Sequence, residues 1–139
     1  MIVDVGVYDE RERCDGDYSI GGAAGYLREH PGSFCWIGLH DPKDGEVAEV
    51  GCTFPLPALA VEDAEHAHQR AKVEKYPGLT FGVIKTLDYS DEDSTVESGE
   101  IAVFVGTNYP VTVRHGAATD LGPVRRMDNT AELLDHGPL

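Results

Sequence analysis

Two adjacent carboxylates, Glu62 and Asp63, are the side chains of this sequence whose type and spacing best suit chemistry. They follow a short apolar run and are predicted to lie near the end of a helix. The negative end of the helix dipole disfavours them there unless a cation or a hydrogen-bond donor is close. Arg70 or Lys72 could supply that charge, and the residue types alone favour such an ion pair. The functional alternative is a hard divalent cation such as Mg²⁺, which takes carboxylate oxygens and water as ligands.

His66 and His68 raise two further alternatives, a zinc site and a metal-dependent hydrolase that also uses the carboxylate pair. Imidazole and carboxylate both ligate zinc. Residues two apart share a face only in a strand, however, and this spacing matches no usual zinc signature. A hydrolase would need a nucleophile or base motif beside the metal, and the sequence has no P-loop, GxGxxG, GxSxG or HExxH pattern. The sequence therefore predicts that the chain is not an enzyme.

Composition and charge limit the remaining classes of function. The 139 residues fit a single domain, 1–139, and 25 acidic residues against 11 Lys plus Arg give a formal net charge of -14. Such a surface repels nucleic acid and gathers cations. The three cysteines form no CxxC pair, which favours a reducing compartment. We find neither a signal peptide nor an apolar run of about 20 residues, so the chain as given is expected to be soluble.

The hydrophobic pattern predicts an α/β fold, a mixed β-sheet flanked by helices. Strands are predicted at 2–8, 33–39, 79–89, 101–105 and 109–113, the last two joined as a hairpin. Pro110 would leave a gap in the hydrogen-bond ladder, so the last strand is predicted at a sheet edge. Helices are predicted at 21–30, from an Asp41–Pro42 start towards Phe54, at 55–63 and in the tail 119–139. Leu56, Leu59 and Ala60 form the predicted apolar stripe of the third helix.

One stretch resembles a known family. LPALAVED at 56–63, followed by HQRAKVE at 68–74, resembles the CorA family of magnesium and cobalt transporters, in which a hydrophobic helix ends in Glu-Asp and precedes His-x-Arg-Pro-Lys-Val-Glu. Ala71 stands where that family usually has proline. FCWIGL at 34–39 is similar to the family's Trp-Ile-x-Leu strand, and the likeness covers most of the chain beyond residue 30.

The resemblance implies an α/β/α sandwich, the cytoplasmic N-terminal domain of a homopentameric Mg²⁺/Co²⁺ transporter in the cell membrane. It further implies that Mg²⁺ bound between neighbouring subunits favours the closed pore. Asp63 falls on one intersubunit site and Glu62 on a second, adjacent one. The stalk carboxylate opposite, the membrane helices and the Gly-Met-Asn pore signature are absent from this chain, so Mg²⁺ should bind the isolated domain only weakly. A zinc-transporting relative and a stand-alone acidic interaction or sensing domain remain alternatives.

Overall fold

A computed structural model describes residues 1–10 and 12–116 of the chain. The elements, in chain order, are β1 (Ile2–Asp9), β2 (Glu12–Arg13), α1 (Ile20–Glu29), β3 (Phe34–His40), α2 (Glu46–Thr53), α3 (Ala58–Glu65), β4 (Lys72–Tyr76), β5 (Leu79–Ser90), β6 (Thr95–Val105) and β7 (Pro110–His115). The helix predicted over 119–139 lies outside the described residues. Within the described part, no helix combines the length and the hydrophobicity that a bilayer span requires.

The strands form one mixed sheet with the order β2-β1-β3-β7-β6-β5-β4. Neighbouring strands run antiparallel except β3 and β7, whose parallel register places Ile37 beside Val111 and Leu39 beside Val113. The sheet therefore consists of an N-terminal antiparallel half, β2-β1-β3, and a C-terminal antiparallel half, β7-β6-β5-β4, joined at that parallel pair. The predicted mixed sheet is confirmed.

The core lies between one face of this sheet and the three helices. Alternate strand residues point into it because successive side chains of a strand face opposite sides. Phe81 of β5 and Phe104 of β6 are fully buried there, with ring centroids 4.8 Å apart. The helices contribute small and branched side chains to the same cluster, namely Ala23, Ala24, Leu27, Val47, Val50, Ala60 and Ala64. This arrangement confirms the predicted α/β class.

The prediction that β7 lies at an edge is wrong, because β7 lies between β3 and β6. Pro110 is its first residue and pairs with Val105, the last residue of β6. The parallel ladder with β3 begins one residue later, at Val111. The missing N–H of the proline therefore falls at the start of the strand, where proline is tolerated.

The predicted start of the second helix at Asp41–Pro42 is also wrong. Helix α2 begins at Glu46, and its N-cap is Gly45, whose φ of 89° is the left-handed conformation that glycine adopts readily. The Asp41 carboxylate instead accepts a hydrogen bond from the backbone N–H of Gly116, at 3.0 Å. Asp41 thus ties the end of β3 to the end of β7 and leaves the cap of the helix to glycine.

Two predicted apolar faces are buried only in part. In α3 the buried residues are Ala60 and Ala64, whereas Leu59 is 70% exposed. The two alanines pack into the core, whereas the larger Leu59 side chain is mostly in contact with solvent. In β5 the alternation places Leu79, Phe81, Val83, Leu87 and Tyr89 on one face, and only the first three of these are buried.

Candidate functional site

The predicted carboxylate pair lies in the last turn of α3, as the sequence indicates. The helix begins after Pro57, which accepts the first hydrogen bond from the Val61 N–H at 2.9 Å, and it ends before His66. Glu62 is exposed, and the Asp63 carboxylate is about one-third exposed. Both acids stand at the negative end of the helix dipole, where they raise the local negative charge.

His66 closes the helix at this end. Its Nδ1 donates a hydrogen bond to the Glu62 backbone carbonyl at 2.8 Å. That bond raises the pKa of the imidazole, and the nearby carboxylates Asp44, Glu65 and Glu62 add to the shift. A protonated imidazole is favoured beside unpaired helix carbonyls and acidic side chains. His66 therefore adds positive charge beside the carboxylate pair when it is protonated.

Lys72 forms an ion pair with Asp63. Its ammonium lies 2.6 Å from Asp63 Oδ2 and also 2.6 Å from Glu74 Oε1, so one lysine is shared by two carboxylates. The hydrogen bonds to Asp63 and Glu74 raise the pKa of Lys72. The bond from Lys72, supported by one from the Tyr76 hydroxyl at 2.9 Å, lowers the pKa of Glu74. The ion pair that residue types favoured is present, with Lys72 rather than Arg70 as the partner.

The site nonetheless carries more negative than positive charge. Asp63 and Glu74 share one lysine, and among the described residues no cationic side chain forms an ion pair with the neighbouring Glu62. The Asp63–Lys72 pair is accessible to water, each side chain being 30% exposed. Water screens such a pair, so the lysine is held only modestly.

The histidines do not build a metal centre with these acids. His66 is engaged by the helix end, whereas His68 lies on the following connection with a left-handed φ of 73°. In the part of the chain that the structure describes, no three His, Cys, Asp or Glu side chains converge closely enough to hold a metal ion. The carboxylate pair therefore offers an incomplete set of ligands.

The sequence interpretation missed the residues that hold the carboxylate turn in place. Glu100 of β6 is buried and accepts hydrogen bonds from the Gln69 N–H, at 2.9 Å, and from the Lys85 ammonium. His115 of β7 lies opposite Glu100 in the sheet and donates to the Ala64 carbonyl at 2.7 Å. The end of α3 and the connection after it are thus fastened to two central strands. The sequence did contain one indication of this role. Glu100 alternates with Ala102 and Phe104, so it lies on the core-facing side of β6, where a carboxylate needs hydrogen-bond partners.

The sequence model of the "CorA-like Mg2+ transporter protein" family matches residues 31–132, which include α3 and the strands that fasten it. The chain belongs to this family. Its members are transporters and not enzymes, which agrees with the sequence prediction.

Individual relatives agree with this assignment. The "Putative metal ion transporter YfjQ" of Bacillus subtilis (strain 168) is 31% identical over 104 residues, which are 74% of this chain and 31% of that protein. This CorA-family chain therefore spans about one-third of the length of the curated relative that it matches.

Solved structures show the same fold at low sequence identity. The soluble domain of CorA from Methanocaldococcus jannaschii superposes with a TM-score of 0.59 at 11% identity, over 96% of this chain and 50% of that chain. The full-length CmaX protein gives a TM-score of 0.58 at 12% identity, over 95% of this chain and 39% of that one. The complete CorA magnesium transporter from Methanocaldococcus jannaschii gives a TM-score of 0.55 at 13% identity, over 99% of this chain and 39% of that one. The resemblance to the CorA soluble domain is confirmed.

Proposed function

We propose that this chain is the cytoplasmic regulatory domain of a divalent-cation transporter and that it senses intracellular Mg²⁺ through Asp63 and Glu62. The observation that carries the proposal is the position of this pair. It ends a helix inside the segment that matches the family, and both carboxylates are reachable from solvent. The transporter would be a membrane-bound homo-oligomer, a pentamer by family resemblance, that moves Mg²⁺ or Co²⁺.

The ligand types fit a shared Mg²⁺ site. Mg²⁺ keeps several of its waters and commonly takes one or two protein carboxylates. Asp63 and Glu62 supply that number, and the described residues supply no third ligand beside them. We propose that the remaining protein oxygens come from a neighbouring subunit, so that the ion is held between two copies. An ion held in this way binds weakly and can follow the cellular concentration.

Lys72 can release the Asp63 carboxylate when a metal ion binds to it. Because Lys72 contacts both Asp63 and Glu74, it can keep Glu74 as a partner when a cation takes Asp63. Loss of the cation would leave carboxylates of adjoining subunits facing each other, and their repulsion would separate the subunits. Mg²⁺ would thus select the arrangement in which the subunits are close, which the family resemblance links to the closed pore.

Flux measurements on the full-length transporter in liposomes would test this proposal. Asp63→Ala should leave the maximal transport rate intact and shift Mg²⁺-dependent closure to higher concentration. Glu97→Gln, which removes one negative charge from β6, serves as the matched control and should behave like wild type. Unchanged closure in Asp63→Ala would refute the sensing role. Closure by Zn²⁺ in place of Mg²⁺ would favour the zinc-transporting relative.

A further inference from the structure

Strands β5 and β6 continue beyond the strands that flank them. Strand β4 pairs with β5 only over Leu79–Val83, and β7 pairs with β6 only over Glu100–Val105. Among the described residues, the register from Thr86↔Gly99 to Ser90↔Thr95 is therefore made by these two strands alone. We call residues 86–99 the ribbon. A two-stranded ribbon has little stability of its own in water. Its exposed apolar side chains do not stabilise the core, which suggests that they serve another purpose.

One face of the ribbon is apolar and uncovered. Leu87, Tyr89 and Val96 lie on this face, Tyr89 directly opposite Val96, and they are 77%, 60% and 60% exposed. Single exposed apolar residues are ordinary, but adjacent large ones are typical of an interaction surface. The face continues the core-facing alternation of β5 past the point where α1, α2 and α3 cover it, and the described residues leave it open to a partner.

An open cavity of about 430 Å³ lies at the base of this face. Leu87, Lys85 and Ser98 line it together with the buried carboxylate Glu100 and the two histidines His68 and His115. Leu87 and Ser98, which face each other across the ribbon, line this cavity, so the apolar face and the cavity are continuous.

The charge of the ribbon identifies the chemistry of the partner. The sequence has no Lys, Arg or His from residue 86 to 113, whereas the tip carries the exposed carboxylates Asp91, Glu92 and Asp93. The ribbon of a second copy would bring the same carboxylates against these, and an anionic membrane would be repelled as well. A partner with Lys or Arg beside its apolar side chains would be attracted to both parts of the surface.

We propose that the apolar face of the ribbon, with the cavity at its base, docks a cationic amphipathic protein segment. Apolar side chains of the segment would cover Leu87, Tyr89 and Val96, and its Lys or Arg side chains would face the carboxylates of the tip. This inference rests on the ribbon and does not depend on the role of Asp63.

Fluorescence anisotropy with the whole 139-residue chain tests the proposal. The probe is a fluorescein-labelled amphipathic peptide of Leu and Lys, and a Leu–Glu peptide of the same pattern is the control. The triple variant L87S/Y89S/V96S should weaken binding of the Leu–Lys peptide at least about tenfold, since a few apolar contacts dominate such interfaces. The double variant L59S/V73S, which removes two other exposed apolar groups, should leave the Kd unchanged.

A second pair of variants tests the charge. Asp91→Asn, Glu92→Gln and Asp93→Asn together should weaken binding and flatten its dependence on salt. Glu12→Gln, Asp15→Asn and Asp17→Asn remove the same charge elsewhere and should do neither. If both sets of variants lose the same affinity, the peptide responds only to the net charge of the chain, and the proposal is overturned.

Three other results would also overturn it. These are equal binding of the Leu–Glu peptide, no measurable binding of the Leu–Lys peptide, and a dimer in light scattering that L87S/Y89S/V96S abolishes. In the last case the occupant would be a second copy of the chain. Circular dichroism of each variant separates loss of binding from loss of folding.

Discussion

Replacing Lys72 with methionine should strengthen Mg²⁺ binding to this domain. Lys72 lies 2.6 Å from Asp63 and competes with any cation for the same carboxylate. Methionine removes the charge but keeps a long apolar stem, which preserves packing near the Phe81 ring, 5.8 Å from the lysine ammonium. The variant therefore isolates the competition between an internal cation and a metal ion.

The size of the gain follows from the exposure of the pair. Each partner is 30% exposed, and ion pairs of this kind contribute about 0.2–1 kcal/mol. Mg²⁺ no longer has to displace that interaction in Lys72→Met. An advantage of about 0.2–1 kcal/mol corresponds to binding that is tighter by a factor of about 1.4 to 5. Wild-type binding should itself be weak, because the chain offers Asp63 and Glu62 without a third ligand among its described residues.

Heteronuclear NMR titration with MgCl₂ at constant ionic strength measures the gain through the amide shifts of Glu62 and Asp63. Lys75→Met removes the same charge from the opposite face of β4 and should change the affinity little. Adding Asp63→Asn to Lys72→Met should abolish the gain, which a double-mutant cycle would show as coupling. An unchanged or weaker affinity in Lys72→Met would refute the competition. Micromolar binding by the wild-type chain would contradict the incomplete site.

Three further outcomes concern stability and pH. Lys85→Met should lower the free energy of unfolding by about 1–3 kcal/mol in urea, because it leaves the buried Glu100 carboxylate without its cation. Phe81→Ala should lower it by about 3–5 kcal/mol, whereas Leu59→Ala should stay within about 0.5 kcal/mol in the same assay. His66 has a raised pKa in the folded chain, so its contribution is full below the ordinary value of 6.5 and is lost as pH rises through the folded pKa. The difference in urea midpoint between wild type and His66→Gln should therefore be largest in acid and vanish in mild base.

Different outcomes in these three experiments would each have a specific physical meaning. A neutral Lys85→Met would mean that water, and not the lysine, satisfies Glu100. A large loss in Leu59→Ala would place that side chain in the core, against its exposure. A His66 midpoint difference that grows with pH would reverse the sign of the imidazole contribution.

Local patterns predicted most of the fold, because they report on neighbours along the chain. Alternation located β5 and β7, an apolar run located only the second half of β6, and the Glu-Asp ending located the last turn of α3. An ion pair of Asp63 with Arg70 or Lys72 was also predicted, because these two cationic residues follow it closely in the sequence. Lys72 is the partner because it begins β4 on the face that also carries Glu74.

The remaining features depend on which strands become neighbours, which local patterns do not contain. The proline rule placed β7 at an edge, and the parallel pairing with β3 put it in the centre. Glu100 and His115 face each other only through the β6–β7 register. The exposure of Leu87 and Tyr89 follows from where β4 and β7 end, although their alternation is the same as that of buried Phe81.

The parallel pair at the middle of the sheet has a consequence for the order in which the chain folds. Each antiparallel half closes through connections shorter than the one that joins the halves, which spans from Ile37 to Val111. Closing that long loop costs the most chain entropy, so the two halves should form before they join. The single tryptophan, Trp36, stands at this seam and donates from its indole nitrogen to the Thr112 hydroxyl at 3.1 Å. Its fluorescence in a refolding experiment would consequently follow the last step of sheet assembly.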